Sequence, residues 1–597
     1  MKQFFKYFLA SGLAYIVFGL LFFFIIIGIG STMFKGPEPI SIKKNSVLHL
    51  KLDKPISETT YFQIDEASFQ PVNRMGINDI VRSIEYAETD DKIKGIYLEP
   101  SVLMVGLANL EELHDALERF KESGKFIVSY SEAYSQGAYY LASVADESYI
   151  YPTGAMAWMG LSSERMFFKQ MLDKLDIDMQ IIRGSNNKFK SAVEPFFLEK
   201  MSDANREQTD KYMFSFWDHM VKEISESKGI SVEELNRMAN EMTISSAQKA
   251  VEYNMLTATK YQDEVEDILR SKLELKEKAK LNKASLSDYM DYAKRKLLVK
   301  NRGVKNIAIV YANGEIVSGK GNPEMIGSET TVKHLRKARK SDSIKAVVLR
   351  VNSPGGSALA SDVIWREVEL LKKAGKKVVV SMGDLAASGG YYISCNADRI
   401  FAQENTITGS IGVFGVLPNA ENFFKNKIGI TFDRAKTNEH ADLMSISKPL
   451  SEEEYKLIQE EVDRIYDDFI TRVSDGRGIP KSMVDSIGQG RVWSGKDALE
   501  IKLVDEIGGI EEAIAYAARI ADIKEPRVMD IPKKKKDPLE DILKSLVEKE
   551  DEEGSVSFNT PGTFSAQIID QLKLLSTINF KAQDRIQARL PYLITIK

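Results

Sequence analysis

Two side chains in this sequence have the type and surroundings for acyl-transfer chemistry. Ser388 stands in Asp384-Leu-Ala-Ala-Ser-Gly-Gly-Tyr-Tyr392, shortly after the strand-like run Lys377-Val-Val-Val-Ser381. The stretch reads as a turn that opens a helix. The two glycines after the serine admit another backbone and leave a helix N-terminus uncluttered, where unpaired N–H groups favour negative charge. A hydroxyl at such a turn attacks a carbonyl once a base takes its proton; without a base it is only an N-cap. The second side chain is Lys190, in Arg183-Gly-Ser-Asn-Asn-Lys-Phe-Lys-Ser-Ala-Val-Glu-Pro195. A lysine is a base only when neutral, so its ordinary pKa of about 10.4 must fall toward roughly 7–8 to work near neutrality. Burial lowers it, and Phe189, Val193, Phe196 and Phe197 offer the apolar surroundings. Lys188 has the same chemistry on sequence grounds.

A third element is Asn352-Ser-Pro-Gly-Gly-Ser357, where Gly355 and Gly356 follow a strand and can present backbone N–H groups to an oxyanion. Ser353, Ser357 and Ser361 also lie near glycines, but Ser353 precedes a proline and reads as shaping the turn. Glu194 reads as structural. The five histidines show no His-x-x-x-His spacing, and Cys395 is the only cysteine. No disulfide within the chain and no thiol metal cluster is therefore possible, and no metal or nucleotide cofactor is expected.

The elements that must carry these residues come twice. Ile93-Lys-Gly-Ile-Tyr-Leu98 is paralleled by Ile344-Lys-Ala-Val-Val-Leu-Arg350, and Lys125-Phe-Ile-Val-Ser129 by Lys377 to Ser381. Tyr139-Tyr140 is paralleled by Tyr391-Tyr392, at an offset of 391 − 139 = 252. Strands alternate with helices in both halves, which predicts two copies of one α/β fold. Aligned on the tyrosines, Gln136 stands where the second copy has Ser388, and Pro100-Ser-Val-Leu-Met replaces the Ser-Pro-Gly-Gly turn. In the other direction, Ala441 falls near the place of Lys190. One copy keeps the serine and the other the lysine, so a single composite site at their interface is expected, working as a Ser–Lys pair without histidine.

Residues 8–30 carry no charge and are long enough to span a bilayer. Lys2 and Lys6 precede them, which favours an uncleaved anchor with its N-terminus inside. The expected organisation is a cytoplasmic stub and anchor over residues 1–35 and a first repeat over 45–274. A charged, solvated helical linker follows over 275–303, then a second repeat over 304–525. The tail over 526–597 has linker composition and no assignable task. A net charge of −5 over 597 residues, without a basic excess, gives no sign of nucleic-acid binding.

Lys-Ser-Ala-Val-Glu-Pro (190–195), Ser-Pro-Gly-Gly-Ser (353–357), Ala-Ala-Ser-Gly-Gly-Tyr-Tyr (386–392) and Thr-Gly-Ser-Ile-Gly-Val (408–413), in this order, resemble the long form of the signal peptide peptidase A (protease IV) family. The resemblance covers residues 1–525. It implies a tandem of the spiral α/β units shared with Clp protease subunits and crotonases, and a membrane-anchored serine endopeptidase acting on apolar peptides such as cleaved signal peptides. It places the nucleophile on Ser388, the general base on Lys190 and the oxyanion hole on Gly355, Gly356 and the Gly389 amide. Ser410 is a candidate for orienting the lysine. It also implies a homotetramer in the bacterial inner membrane, with the catalytic part on the extracytoplasmic side. The rival readings are a crotonase-like acyl-CoA hydratase or isomerase, and a membrane scaffold with a relic site.

Overall fold

The computed structural model describes residues 40–64, 71–100, 103–276, 278–300, 303–532 and 586–589, with isolated positions before them. The span expected over residues 8–30 lies, those positions apart, outside the described residues. Among the described residues no helix is long and apolar enough to cross a membrane.

Two sheets form the core; six strands of each run parallel in matching order, and the second adds Ile407–Gly409 beside Lys377–Ala387, with Val492–Ser494 antiparallel to Ile407–Gly409. The first runs Lys283–Ser285, Ser46–Leu52, Ile93–Pro100, Phe126–Tyr134, Glu147–Met156, Ala258–Thr259. The second runs Val528–Ile531, Ile307–Asn313, Ala346–Ser353, Lys377–Ala387, Arg399–Ala402, Glu506–Ile507. The central strands are continuous apolar runs because helices cover both faces of a parallel sheet. Val347, Val348, Leu349, Val378, Val379 and Val380 are all fully buried.

The helices repeat as well. Ile77–Thr89 corresponds to Ser328–Lys340, and Leu107–Glu122 to Ala358–Lys373. The 26-residue helix Asp203–Lys228 corresponds to the 26-residue helix Glu452–Arg477. Each of that last pair starts on a serine side-chain cap, Ser202 or Ser451, and stops at a left-handed glycine, Gly229 or Gly478.

Two boundaries differ from the sequence reading. Within residues 275–303, read as a solvated linker, Lys283–Ser285 is an edge strand of the first sheet and Leu286–Lys300 is a helix lying on Ile77–Thr89. Among its described side chains that helix buries a narrow stripe, Leu286, Tyr289 and Ala293 with Tyr292, and exposed lysines beside them hide the signal. The tail likewise supplies Val528–Ile531, the same closing edge strand for the second sheet (528 − 283 = 245). Each copy thus closes with a strand of three or four residues, too short to register as an alternating pattern.

A third, mixed sheet ties the halves together in the order Met325–Gly327, Glu315–Val317, Gly355–Ser357, Ile586–Arg589, Phe414–Asn419, Asp178–Arg183. Its last pairing is antiparallel and joins a strand of the first unit, Asp178–Arg183, to a strand of the second.

Candidate active site

Register in that mixed sheet delivers Lys190. Arg183 pairs with Phe414, and the chain then runs along the second unit. Ser185 donates through its N–H and its hydroxyl to Asp463, at 2.7 and 2.8 Å, and the Asn186 amide donates to Asp485 at 2.6 Å. Asn187 donates to the Val413 carbonyl at 3.2 Å, and the Phe189 N–H to the Gln489 carbonyl at 2.9 Å. From the other side, Gln208 donates to the Phe189 carbonyl and to Ser191 Oγ, and its Oε1 accepts from the Val492 N–H. Buried Glu194 accepts from Ser202 and from Asn205, fixing the lysine loop on the start of helix Asp203–Lys228. Glu194 is therefore structural, as its sequence context indicates.

At the end of this loop Lys190 Nζ lies 2.8 Å from Ser388 Oγ, 3.0 Å from Ser410 Oγ and 3.2 Å from the Ser410 carbonyl. All three residues are 0% exposed. Burial drives the Lys190 pKa well below the ordinary lysine value. The wall is partly backbone: a Cβ on Gly490 would fall 2.5 Å from Lys190 Cβ, and one on Gly412 would fall 3.3 Å from Lys190 Cδ. Phe189, Val193 and Phe414 are buried around it. Lys188 is exposed, with its amine over the Phe189 ring, and takes no part.

Ser388 closes the strand Lys377–Ala387 with φ 56 and ψ −114, a strained backbone for a residue with a side chain. Its N–H donates to the Gly409 carbonyl at 2.8 Å, and its carbonyl accepts from the Tyr392 N–H at 2.8 Å. The hydroxyl makes no capping bond to the helix Gly389–Ser394 that follows. The N-cap alternative therefore fails, and the oxygen is turned toward the lysine. Ser410 is also at positive φ, 49, with its N–H donating to the Arg491 carbonyl at 2.7 Å.

The glycine turn lies beside the serine. Gly355 and Gly356 have φ of 101 and 153, and a Cβ on Gly356 would meet the Ile316 carbonyl oxygen at 2.1 Å. The Gly355 N–H already donates to Ser353 Oγ at 3.1 Å. Gly389 is the first residue of its helix, so its N–H has no partner within that helix. A Cβ on Gly390 would fall 2.8 Å from the Ser353 carbonyl oxygen, so this position admits only a bare backbone. Cys395, Tyr391 and Tyr392 are core residues.

Sequence reasoning missed what holds the two turns in place. Arg350, fully buried in a central strand, donates to Glu58 and Glu112 of the first unit at 2.7 Å each, and to Asn109 at 2.9 Å. Asn109 donates through its N–H and its amide to Asp384, at 2.9 and 2.7 Å. Asn352 donates to Asp384 at 3.1 Å and accepts from the Leu385 N–H at 3.1 Å. Burial, outweighing these donors, raises the Asp384 carboxyl to about 6. The one visible signal was a lone arginine inside an apolar strand.

The chemistry available is that of a hydroxyl beside a buried amine whose pKa is held well below the ordinary lysine value, with a glycine turn and a helix N-terminus close by. Sequence comparison agrees. The model of "Peptidase family S49" matches residues 119–276 and 370–524. Protease 4 of Haemophilus influenzae is 37% identical over 520 residues, covering 84% of this chain and 83% of its own. The chloroplastic serine protease SPPA of Arabidopsis thaliana is 31% identical over 489 residues, covering 81% and 70%. An Enterococcus faecium protein whose name proposes a signal peptide peptidase, SppA, is 38% identical over 214 residues, covering 35% and 62%. With both halves matched by the family model and relatives aligned over most of their length, the chain belongs to peptidase family S49.

Proposed function

We propose that this serine-type peptidase is an endopeptidase of the bacterial cell envelope that cleaves apolar peptides, spent signal peptides among them, through Ser388 and Lys190. The observation that carries the reading is the 2.8 Å contact between Ser388 Oγ and a lysine amine that has, among the described residues, no carboxylate partner. Neutral Lys190 takes the Ser388 proton as the oxygen attacks the peptide carbonyl. The N–H groups of Gly356 and Gly389 hold the oxyanion. Lys190 then protonates the leaving amine, and later takes a proton from the water that releases the acyl group from Ser388. Ser410 orients the amine from its far side.

An extended peptide has a template here. Residues 586–589 of the chain itself lie antiparallel to Gly355–Ser357, with Gly356 opposite Ala588. They also pair with Phe414–Asn419 on the other flank. A strand in that slot runs beside the oxyanion turn, which is the pose an endopeptidase needs for a scissile bond.

The uncharged residues 8–30 anchor the chain in the inner membrane in this reading, with the catalytic part outside. Assembly into a closed homo-oligomer, a tetramer, is supported by the duplication. Within one chain the first unit's strand Asp178–Arg183 pairs with the second unit's Phe414–Asn419. The second unit's counterpart, residues 429–434 (429 − 178 = 251), is in no strand and exposes Ile430 and Phe432. The counterpart of Phe414–Asn419, residues 163–168 (414 − 251 = 163), is also in no strand. The same pairing between neighbouring copies, second unit to first, covers both segments and closes a ring.

The test is casein and leader-peptide hydrolysis by detergent-solubilised protein, beside Ser388→Ala and Lys190→Ala, with a fluorophosphonate probe. Labelling at Ser388 that is lost in Lys190→Ala supports the pair. An unlabelled, well-folded wild type with no turnover would overturn it.

A further inference from the structure

Away from the peptidase site, His114 lies fully buried on helix Leu107–Glu122, stacked on the Tyr140 ring at 4.3 Å. Among the described residues neither of its ring nitrogens has a hydrogen-bond partner, and neither has the Tyr140 hydroxyl. An unpartnered buried polar group is costly, so two on one residue call for an explanation. One ring nitrogen lies within 4.8 Å of a carboxylate oxygen of Glu118 and of one of Glu223. Glu118 follows His114 by one helical turn, and Glu223 comes from the neighbouring helix Asp203–Lys228. The same His-x-x-x-Glu spacing occurs there as His219 and Glu223.

The local charge is unbalanced. His219 does not relieve this, because its Nδ1 lies 3.2 Å from Glu404 and its Nε2 3.6 Å from Glu111. Lys222 approaches Glu223 only to 3.7 Å from an exposed position and shares itself with Glu226. A buried imidazole with a free lone pair, facing two carboxylates, is a mixed nitrogen and oxygen donor set.

We propose that His114, Glu118 and Glu223 bind one divalent transition-metal ion of the zinc type, with solvent at the remaining position. Donors around a tetrahedral ion with bonds of about 2.1 Å are roughly 3.4 Å apart, so three donor atoms now within 4.8 Å of one another would draw in by at most about 1.4 Å. The ion would clamp two helices whose first two turns support the active site. Asn109 and Glu112 at the start of one hold Asp384 and Arg350. Asn205 and Gln208 at the start of the other hold the lysine loop. The inferred role is structural, distinct from the Ser–Lys chemistry.

The experiment uses the full chain in detergent, stripped with a chelator, dialysed, and titrated with zinc or with cobalt as the spectroscopic probe. Expected are one ion per chain, tetrahedral cobalt bands and a higher thermal midpoint with metal. Glu118→Gln with Glu223→Gln, both partly exposed and isosteric, weakens binding about tenfold or more, whereas His440→Ala at the exposed Glu439/His440/Glu453 cluster leaves it unchanged. No binding by the folded wild type, or equal affinity in the double glutamine variant, overturns the proposal.

Discussion

Replacing Lys190 by methionine should cut turnover by about 10²–10⁴ and yet make the protein more stable at pH 7. The amine makes three hydrogen bonds, to Ser388 and twice to Ser410. At about 1 kcal/mol net for each, methionine forfeits roughly 3 kcal/mol. Against this stands the cost of keeping a lysine neutral. That cost is about 1.4 kcal/mol for each unit between the pH and the ordinary value of about 10.4, hence close to 5 kcal/mol at pH 7. Methionine has similar length and no proton to give up, so the variant should gain about 2 kcal/mol at pH 7.

The sign of the pH dependence is fixed by the direction of the shift. Burial lowers the folded-state pKa of Lys190, so between the folded and unfolded values the unfolded chain binds a proton that the folded chain does not. Wild-type stability relative to the variant therefore rises with pH and levels off above the ordinary lysine value. By about pH 10.5 methionine should be the less stable residue by roughly 3 kcal/mol. Urea unfolding of both proteins between pH 7 and 10.5 measures the difference, and peptide hydrolysis should show a loss of about 10²–10⁴. A stability difference that stays flat across this range would falsify the neutral-amine mechanism, since the lysine would then be charged in the fold.

Gly490→Ala pushes a methyl to within 2.5 Å of Lys190 Cβ at a φ of 78. Its kcat should fall about tenfold or more with KM nearly unchanged, the mark of a displaced base; an unaltered kcat refutes the packing account. Arg350→Met leaves Glu58 and Glu112 buried without a cation and should cost about 3–5 kcal/mol of unfolding free energy; a change within 1 kcal/mol, taken as roughly the worth of an exposed pair, would show that the network is dispensable. Ending the chain at residue 585 removes the strand paired with Gly355–Ser357, so the initial rate on a short reporter peptide should rise. An unchanged or lower rate means that this strand does not compete with substrate.

Much of this was readable because duplication supplies an internal control. The central strands Ile93–Pro100 and Phe126–Tyr134, their counterparts Ala346–Ser353 and Lys377–Ala387, and the missing serine in the first copy follow from apolar runs and from the repeat offset. Lys190 was separated from Lys188 only by its Ser-Ala-Val-Glu-Pro context, and the structure gives the physical difference: one amine is sealed, the other lies in water. The edge strands Lys283–Ser285 and Val528–Ile531 escaped because three or four residues carry no period. The links from Arg350 to Glu58 and from Asn109 to Asp384 join residues hundreds of positions apart. Such contacts depend on how the two units dock, and no local pattern encodes that.

Docking also decides whether the base exists at all. A strand advances about 3.4 Å per residue, and a one-residue slip reverses every side chain. The pairing of Asp178–Arg183 with Phe414–Asn419 must therefore hold its register for Lys190 to remain 2.8 Å from Ser388. Phe189 and Val193 of its own unit cover the lysine on one side, and Gly412, Phe414 and Gly490 of the other unit complete the seal. With the second unit removed, nothing opposes hydration of the ammonium, and the lysine returns to its ordinary pKa of about 10.4. The serine contributed by one copy thus gains a working base only through the interface that brings the lysine of the other. An isolated first unit that folds should have a Lys190 that titrates like any surface lysine in a nitrogen-15 NMR experiment. A depressed value there would move the origin of the base from the interface to the loop itself.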